Sequence, residues 1–429
     1  MSKNLLVTCV GLNHVTSPIA ERETLAFTGD ELREQLPQIA EGLGGAVLLS
    51  TCNRTELYAA VPEGEGGSLI RLLNNAKNAN VSEGHFYVLQ HSAAMNHLLR
   101  VASGVDSMVL GESEILGQVR QAMSIATEAA ALNGTLSYVF HAAIHAGKRA
   151  RSETNIGRHA ISVGSAAVSL ARKSLGDLTG KTVLVISAGS MGKLSARALA
   201  QQTQSHILVA NRTRERAADL AGQLGPGAEA VDFDHLRDAL LAADIVISGT
   251  SAEGFVIGPD LVRPVMESRD SRGLLFIDIA VPRDVDPAVS NISGVHLCDI
   301  DDIEAVTSEG WSGRRAEVEK VEAIVFEEVA TFEEWWRSLD VVPVIAALRE
   351  RAETIRQGEI KRTLGKMDLD TGDRERIEAM TTAIVKKMLD RPIARLKNGS
   401  DKGLYMEALE DLFDVHPSGS RPRNPAGGR

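Results

Sequence analysis

Cysteine is scarce in this chain. Cys9, Cys52 and Cys298 are too few and too dispersed for a disulfide framework, and they lack the paired spacing of a zinc site. A reducing, cytoplasmic setting is therefore expected. Long apolar runs are missing too, and none approaches the ~20 residues of a membrane span. The opening Met1-Ser2-Lys3-Asn4 runs straight into the strand-like Leu5–Val10, without the apolar core and cleavage site of a secretory signal. Positive charge is in deficit. The formal net charge of -11 weighs mildly against a nucleic-acid partner, since phosphates are held by Lys and Arg. Local basic runs exist at Lys148-Arg149-Ala150-Arg151 with Arg158, and from Arg349 to Arg362. Each reads either as a solvated helix face or as one basic face on an acidic protein.

At 429 residues, 44% of them hydrophobic and 24% charged, the chain can hold two or three domains with their own cores. Over residues 1–155, strands are expected at Leu5–Val10, Ala46–Ser50 and Glu56–Val61. Helices are expected at Pro18–Phe27 and Asp30–Ala40, the second with Asp30 as N-cap. Helical spacing then holds from Ser92 to about Thr154, broken near Gly104, Gly111 and Gly134. This is the pattern of an α+β N-terminal domain.

Residues 156–300 alternate strand and helix. Strands are expected at Thr182–Ser187, His206–Ala210, Ile245–Ser248, Leu274–Ile279 and Gly294–Leu297, with helices at Lys193–Gln202 and Arg214–Leu224. Such spacing predicts a Rossmann-like, doubly wound parallel sheet. From residue 301 to 415 strand signals vanish, which predicts an all-helical domain. One very long helix is expected over about Ile303–Leu339, ending before Pro343, followed by helices at about Val344–Leu364 and Asp373–Leu396. Its apolar stripe of Val318, Val321, Val325, Phe332, Trp335 and Trp336 must be buried, most simply by dimerisation and otherwise by an intrachain helical cap. The Pro-, Gly- and Arg-rich tail 416–429 is expected to be disordered.

Two motifs carry chemistry. The segment from Thr182 to Gly192 is a strand, a tight turn and a helix start, the arrangement that seats a dinucleotide pyrophosphate at a helix N-terminus. Its turn is Ser187-Ala188-Gly189-Ser190-Met191-Gly192, with Ser187 where the first glycine of GxGxxG would be. About 20 residues on, where an NAD site carries an acid, stands Asn211-Arg212-Thr213-Arg214. Arginine and hydroxyl suit a 2′-phosphate, so NADPH is the expected cofactor.

The other motif is Ser50-Thr51-Cys52-Asn53-Arg54-Thr55-Glu56, directly after the apolar run Ala46–Leu49. It reads as a buried strand emptying into a polar loop, with a thiol at the strand end. A cysteine there is commonly a small buried hydrophobe. The polar crowd singles it out, because such residues are not needed to pack a core. Arg54 is placed to lower the thiol pKa. Cys9 reads as core, and Cys298 has no evident activating neighbour. His97, on a helix with Ser92 as expected N-cap, is either a satisfied core histidine or an acid/base group. Between Gly104 and Val119, Ser107, Glu112, Ser113, Glu114 and Gln118 sit beside glycines. They either surround a small zwitterion or form an ordinary loop and helix cap. A thiol nucleophile together with a hydride donor points to acyl transfer onto sulfur and reduction of the thioester.

These segments, in this order, resemble the glutamyl-tRNA reductase family. The resemblance runs from Gly11-Leu12-Asn13-His14 and Glu21-Arg22-Glu23 to about Val415. Its most specific parts are residues 50–56, His97-Leu98, Val101 to Gln118, Lys148 to Ile156, Asn211-Arg212-Thr213, and Asp278-Ile279-Ala280-Val281-Pro282-Arg283-Asp284. It implies a dimer with a catalytic domain, an NADPH domain, and a long spinal helix leading to a dimerisation domain. The implied reaction reduces glutamyl-tRNA to glutamate-1-semialdehyde, the first step of tetrapyrrole and haem synthesis by the five-carbon route.

By motif, the resemblance implies that Cys52 is the nucleophile and His97 assists it. Thr51, Asn53, Arg54, Ser107, Glu112, Ser113, Glu114 and Gln118 would line the glutamyl pocket, with Arg54 on the substrate carboxylate and Glu112 or Glu114 on its ammonium. The turn Ser187–Gly192 would hold NADPH, and the tRNA would lie on basic helical faces. Ser187 replaces a glycine usual in the family, and Glu114 stands where glutamine is common. A glutamate-1-semialdehyde aminomutase is a candidate partner. Two other functions fit parts of the pattern: an NADPH oxidoreductase of shikimate-dehydrogenase type acting on a free acid, and a non-catalytic tRNA- or haem-binding regulator.

Overall fold

A computed structural model describes residues 5–112, 114–157, 163–187, 190–202, 205–250, 252, 254–303, 315–339, 341–364, 367, 370–398 and 402–414. It divides into a larger unit, Asn4–Val329, and a helical unit from Ala330 onward.

The larger unit holds two sheets. The first comprises β1 (Leu5–Asn13), β2 (Ala46–Ser50), β3 (Arg54–Pro62) and β4 (Tyr87–Gln90), in the order β2-β3-β1-β4 and antiparallel throughout. With helices Gly29–Ala40 and Gly66–Ala76 as crossovers, this is the split βαβ, ferredoxin-like arrangement. β3 is buried at every position from Arg54 to Val61. Both its faces are therefore covered, and any charge on it must find its partners inside the protein.

Two expected caps are corrected. Thr28, not Asp30, caps Gly29–Ala40: its hydroxyl accepts from Glu31 N while its own N–H donates to the Glu31 carboxylate at 2.7 Å. Asp30 lies in the first helical turn instead. Ser92 is the first residue of its helix, Ser92–Ser103, and His91 occupies the N-cap at φ 53° without a side-chain cap. The helical stretch expected from Ser92 to Thr154 is interrupted where the glycines predict: Ser92–Ser103 ends at Gly104, Glu114–Glu128 begins after Gly111, and Gly134–Glu153 starts at Gly134.

The second sheet is wholly parallel. Its strands are β5 (Thr182–Ile186), β6 (His206–Asn211), β7 (Ala228–Asp232), β8 (Ile245–Ser248), β9 (Leu274–Asp278) and β10 (Val295–Cys298), ordered β10-β9-β8-β5-β6-β7. Alternate residues feed two apolar layers: Val183, Val185, Ile207 and Val209 face one, Leu184, Ile186, Leu208 and Ala210 the other. Strand order reverses between β5 and β8, so the ligand crevice opens at the carboxyl ends of the strands there. β4 and β7 do not stand out in the sequence because each is short and only partly buried.

The helical unit contains Val341–Leu364, Thr371–Asn398 and Lys402–Leu412, entered by the helix Arg315–Leu339. Residues 304–314, expected to open the long helix, and the tail 416–429 lie outside the described residues. Pro343 falls in the first turn of Val341–Leu364, where its missing N–H is tolerated. Val344, Ile345 and Leu348 pack against Leu389, Ile393 and Leu396. From the expected apolar stripe, Val321, Val325 and Phe332 are buried, and the rings of Trp335 and Trp336 lie 6.0 and 5.6 Å from that of Phe332. Met380, Ile384 and Met388, spaced four apart on Thr371–Asn398, are exposed.

Candidate active site

β2 and β3 form a tight hairpin. Ser50 pairs with Thr55, and Thr51 N donates to the Arg54 carbonyl at 2.8 Å, leaving Cys52 at the tip. The expected polar loop is thus only three residues long, and Arg54 and Glu56 belong to the strand. The Thr51 hydroxyl accepts from Asn53 N (3.1 Å) and Arg54 N (3.2 Å), so it shapes the tip. The Asn53 amide is only 7% exposed, and neither Oδ1 nor Nδ2 has a partner among the described residues. A buried amide left this way costs roughly 1–3 kcal/mol, which a ligand group can recover.

Cys52 is partly buried and packs on Ile19, Met108 and Ile300, a cluster that Val281 also joins. Val281 follows β9 and Ile300 follows β10. The fold therefore brings the thiol to the carboxyl ends of parallel strands, where dinucleotide enzymes keep their reactive ring. Burial first, then the carboxylates of Glu112 and Glu114, pushes the thiol up to about 12, with Arg22 opposing.

Arg54 does not act as expected. Its guanidinium is enclosed: Nη1 lies 2.8 Å from Glu56 Oε1 and 3.1 Å from Asp106 Oδ2, and Nη2 donates to the Asp106 carbonyl. The cation that eases the thiol is Arg22, whose Nη1 donates to the Cys52 carbonyl at 3.3 Å.

Glu56 is the hub beneath the hairpin. Fully buried, it accepts from Arg54 Nη1 (2.8 Å), Tyr58 Oη (2.6 Å) and Tyr87 Oη (2.6 Å), and lies 2.8 Å from His97 Nε2. Burial alone would raise its carboxyl. The charges of His97 and Arg54, with hydrogen bonds from His97 and Tyr58, outweigh that and hold it well below the carboxylate range. His97 Nδ1 lies 3.4 Å from Asp106 Oδ2, so both ring nitrogens face carboxylates. Cys9 Sγ lies within 4.8 Å of ligand atoms of Glu56 and His97, yet burial raises that thiol well above its ordinary value. It is part of the β1 core, as expected.

The segment after Gly104 contributes carboxylates. Ser107 is buried, and its hydroxyl has no hydrogen-bond partner among the described residues. Burial and then Glu114 push the Glu112 carboxyl up to about 7, against Arg54, Ser107 and Arg151. Arg151 pins this loop, donating to the carbonyls of Glu112 (2.8 Å), Ala102 (3.1 Å) and Gly147 (2.7 Å). Gly111 has φ 78°, and a Cβ there would fall 2.1 Å from the Ile156 carbonyl, so no other residue fits. Glu114 opens Glu114–Glu128, and Gln118, one turn later, shares its face. Ser113 lies outside the described residues.

At the phosphate turn, Ser187 is buried at the end of β5, and Ser190 and Met191 already belong to the helix Ser190–Gln202. Ala188 and Gly189 lie outside the described residues. A Cβ on Gly192 would approach Ser187 Cβ to 2.8 Å and its carbonyl to 3.0 Å, so the helix start lies as close to the strand end as the third glycine of a dinucleotide motif allows. Asn211 ends β6 and its Oδ1 accepts from Thr213 N at 2.8 Å, leaving Arg212 and Thr213 exposed beside it. These residues fit a phosphorylated dinucleotide.

Of the three cations at 148–151, Lys148 is exposed and the two arginines are engaged within the chain. Arg149 donates to Glu153, Glu327 and Glu328, and Arg151 is spent on the carbonyls above. Arg158 lies outside the described residues. Sequence reasoning also missed Arg22, Glu56, Tyr87 and Asp106 as site residues. Glu56 had a signal, since Arg54, Glu56 and Tyr58 recur with period two and lead into the apolar run Ala59–Val61. Arg22 had only its place in the segment Glu21-Arg22-Glu23, which assigns it no role, because the fold alone carries it to Cys52.

Three family models match the chain: the glutamyl-tRNAGlu reductase N-terminal domain at residues 10–154, shikimate/quinate 5-dehydrogenase at 169–306, and the glutamyl-tRNAGlu reductase dimerisation domain at 320–415. The glutamyl-tRNA reductase of Syntrophotalea carbinolica is 41% identical over 96% of this chain and 95% of its own length. That of Moorella thermoacetica is 41% identical over 97% of both chains. The solved glutamyl-tRNA reductase of Methanopyrus kandleri superposes with a TM-score of 0.50 at 38% identity, covering 95% of this chain and 98% of that one.

Proposed function

Because the chain belongs to the glutamyl-tRNA reductase family, we propose that Cys52 is the sulfur on which the glutamyl group is held while it is reduced. The reaction is the NADPH-dependent conversion of glutamyl-tRNA to glutamate-1-semialdehyde with release of the tRNA, the first step of tetrapyrrole formation. Residues 1–155 supply the nucleophile, 156–300 the dinucleotide site and 301–415 the dimer contacts.

The observation that carries this reading is the packing of Cys52 on residues that follow β9 and β10. Cys52 Sγ attacks the ester carbonyl, the tRNA hydroxyl leaves with a proton, and a thioester remains. NADPH supplies the hydride that takes the thioester to the aldehyde level. Collapse of the hemithioacetal returns the thiolate. Asn53 offers its unpartnered amide to the substrate, and Glu112 and Glu114 offer carboxylates to its ammonium. That ammonium would cancel the two charges that hold the thiol proton, so substrate binding itself eases formation of the nucleophile. His97, poised between Glu56 and Asp106, is the group through which a proton can be passed.

None of the described helices is long and apolar enough to cross a membrane, in keeping with a cytoplasmic enzyme. An α-amino aldehyde is short-lived in water, which favours transfer to a docked glutamate-1-semialdehyde aminomutase. The test is Cys52→Ser assayed with charged tRNA and NADPH. No trapped aldehyde is expected while NADPH binding persists, and retained turnover rules out the covalent route. Omitting tRNA must abolish turnover, because an enzyme acting on a free acid would continue.

A further inference from the structure

The dipeptide Arg22-Glu23 lies in a short helix, Ile19–Thr24, and belongs to the segment Glu21-Arg22-Glu23, to which the sequence assigns no role in the site. Both side chains leave the first lobe and meet opposite charges in the second. Arg22 is 2% exposed; its Nη1 donates to the Cys52 carbonyl at 3.3 Å and its Nη2 to Asp301 Oδ1. Glu23 receives Arg283 bidentately, Oε1 from Nη2 at 2.6 Å and Oε2 from Nε at 2.9 Å. Asp301 is itself fixed, its N–H donating to Asp299 Oδ1 at 3.0 Å. Arg283 lies two residues beyond Val281, which packs in the Cys52 cluster. Ile19, one turn before Arg22, joins the same cluster.

We propose that Arg22 is a positioning residue for the reduction step, because it ties the Cys52 main chain directly to the dinucleotide lobe through Asp301. This rests on the functional reading above and deepens it. Two neighbouring residues of opposite sign, each matched by its opposite, define one register of lobe on lobe. A lobe displaced by one residue would set Arg22 or Glu23 against a charge of its own sign or against none. Only arginine can do this work: its planar fork presents two N–H groups in fixed directions, one to the Cys52 carbonyl and one to the carboxylate. The acyl group carried by Cys52 then faces the nicotinamide site only while the lobes are in register.

Acylation of Cys52 does not need that register, but reduction does. A thioester held beside a loosened lobe stays exposed to water, which attacks the acyl carbon, releases free glutamate and returns the thiol. The measurable quantity is therefore the partition of acyl-enzyme between aldehyde and glutamate, with charged tRNA and saturating NADPH. Asp301→Ala, on the half-exposed side of the pair, is expected to release tRNA at a rate within about twofold of wild type in a single turnover. Its glutamate-to-aldehyde ratio should rise at least fivefold, and high salt should raise it in the wild type too.

Arg22→Lys, which retains the charge but not the fork, should shift the ratio in the same direction. A partition unchanged in both variants, whatever happens to overall rate or melting temperature, overturns the proposal and leaves the Cys52 mechanism standing. A wild-type protein that forms neither acyl-enzyme nor aldehyde overturns the functional reading, and this inference with it.

Discussion

Arg54 Nη1 and Glu56 Oε1 lie 2.8 Å apart on one face of β3, with 1% and 0% of their side chains exposed. Two strand positions apart, they point the same way into a layer that water does not reach. Such a pair is a poor source of net stability, but breaking it is expensive, because the surviving charge keeps its desolvation cost without its partner. The same carboxylate also orients Tyr58, Tyr87 and His97.

Glu56→Gln is therefore expected to cost about 3 kcal/mol of stability, near the lower end of what removal of a buried ionic partner costs. Equilibrium unfolding in urea measures it. The Glu56 carboxyl is depressed in the folded protein, so its contribution is present above the unfolded value of about 4.3 and fades as pH falls through the lower folded value. The difference between wild type and variant should hold from pH 5 to 7 and close only in strong acid. A constant difference down to pH 1 would contradict this account.

Glu112 carries the opposite sign. Its folded carboxyl is raised to about 7, above the unfolded value of about 4.3. Between those values the folded chain keeps a proton that the unfolded chain has lost. Stability is thus withdrawn as pH rises through that window. Glu112→Gln should match wild type near pH 4 and exceed it at pH 8, by on the order of 1 kcal/mol for a partly solvated group. Thermal unfolding at the two pH values checks it. The same variant should raise KM for glutamyl-tRNA, since the substrate ammonium loses a carboxylate.

Arg149 belongs to a basic run that sequence alone offers to tRNA. The structure sets it among Glu153, Glu327 and Glu328, at 2.8 to 2.9 Å from the nearest oxygen of each. Deleting a cation that sits on a phosphate lowers the salt slope of binding by about 1. Arg149→Ala should leave the slope of tRNA binding against salt unchanged and instead lower stability by about 1 kcal/mol, the scale of a partly exposed network. A fall of about one in the slope would return this arginine to the tRNA face.

How much of the fold and site is legible in the sequence depends on whether a residue's role is local. The parallel sheet announces itself, because Thr182–Ile186, His206–Asn211 and Ile245–Ser248 are short apolar runs separated by helix-length spacers. Cys52 is legible because polar neighbours crowd it without a packing reason. The role of Arg54 is not: adjacency in sequence suggests a link to the thiol, whereas strand geometry turns its side chain toward Glu56 and Asp106. Arg22 and Asp301 are 279 positions apart, and nothing in either neighbourhood encodes their meeting. The cap at Thr28 is available in principle, since Thr28 and Glu31 have capping-box spacing, but the adjacent Asp30 is an equally good cap by type.

Gly192 offers the sharpest test of the phosphate turn. Its position opposes Ser187, the residue that stands in the first glycine place of the motif. A methyl group on Gly192 would sit 2.8 Å from Ser187 Cβ, closer than real Cβ atoms approach, and 3.0 Å from Ser187 O, a tight contact, so the helix start must shift away from the strand end. That shift withdraws the helix N-terminus from the pyrophosphate. Gly192→Ala should therefore weaken NADPH binding at least tenfold, about 1.4 kcal/mol, without altering release of tRNA by Cys52 in the absence of NADPH. Ser187→Gly on its own should bind NADPH as well as wild type. In the double variant, deleting the Ser187 Cβ removes the 2.8 Å clash but leaves the carbonyl, so affinity should recover only in part. Fluorescence titration of NADPH against the four proteins reads this directly. Equal affinities in all four would mean that the pyrophosphate is held somewhere other than this turn.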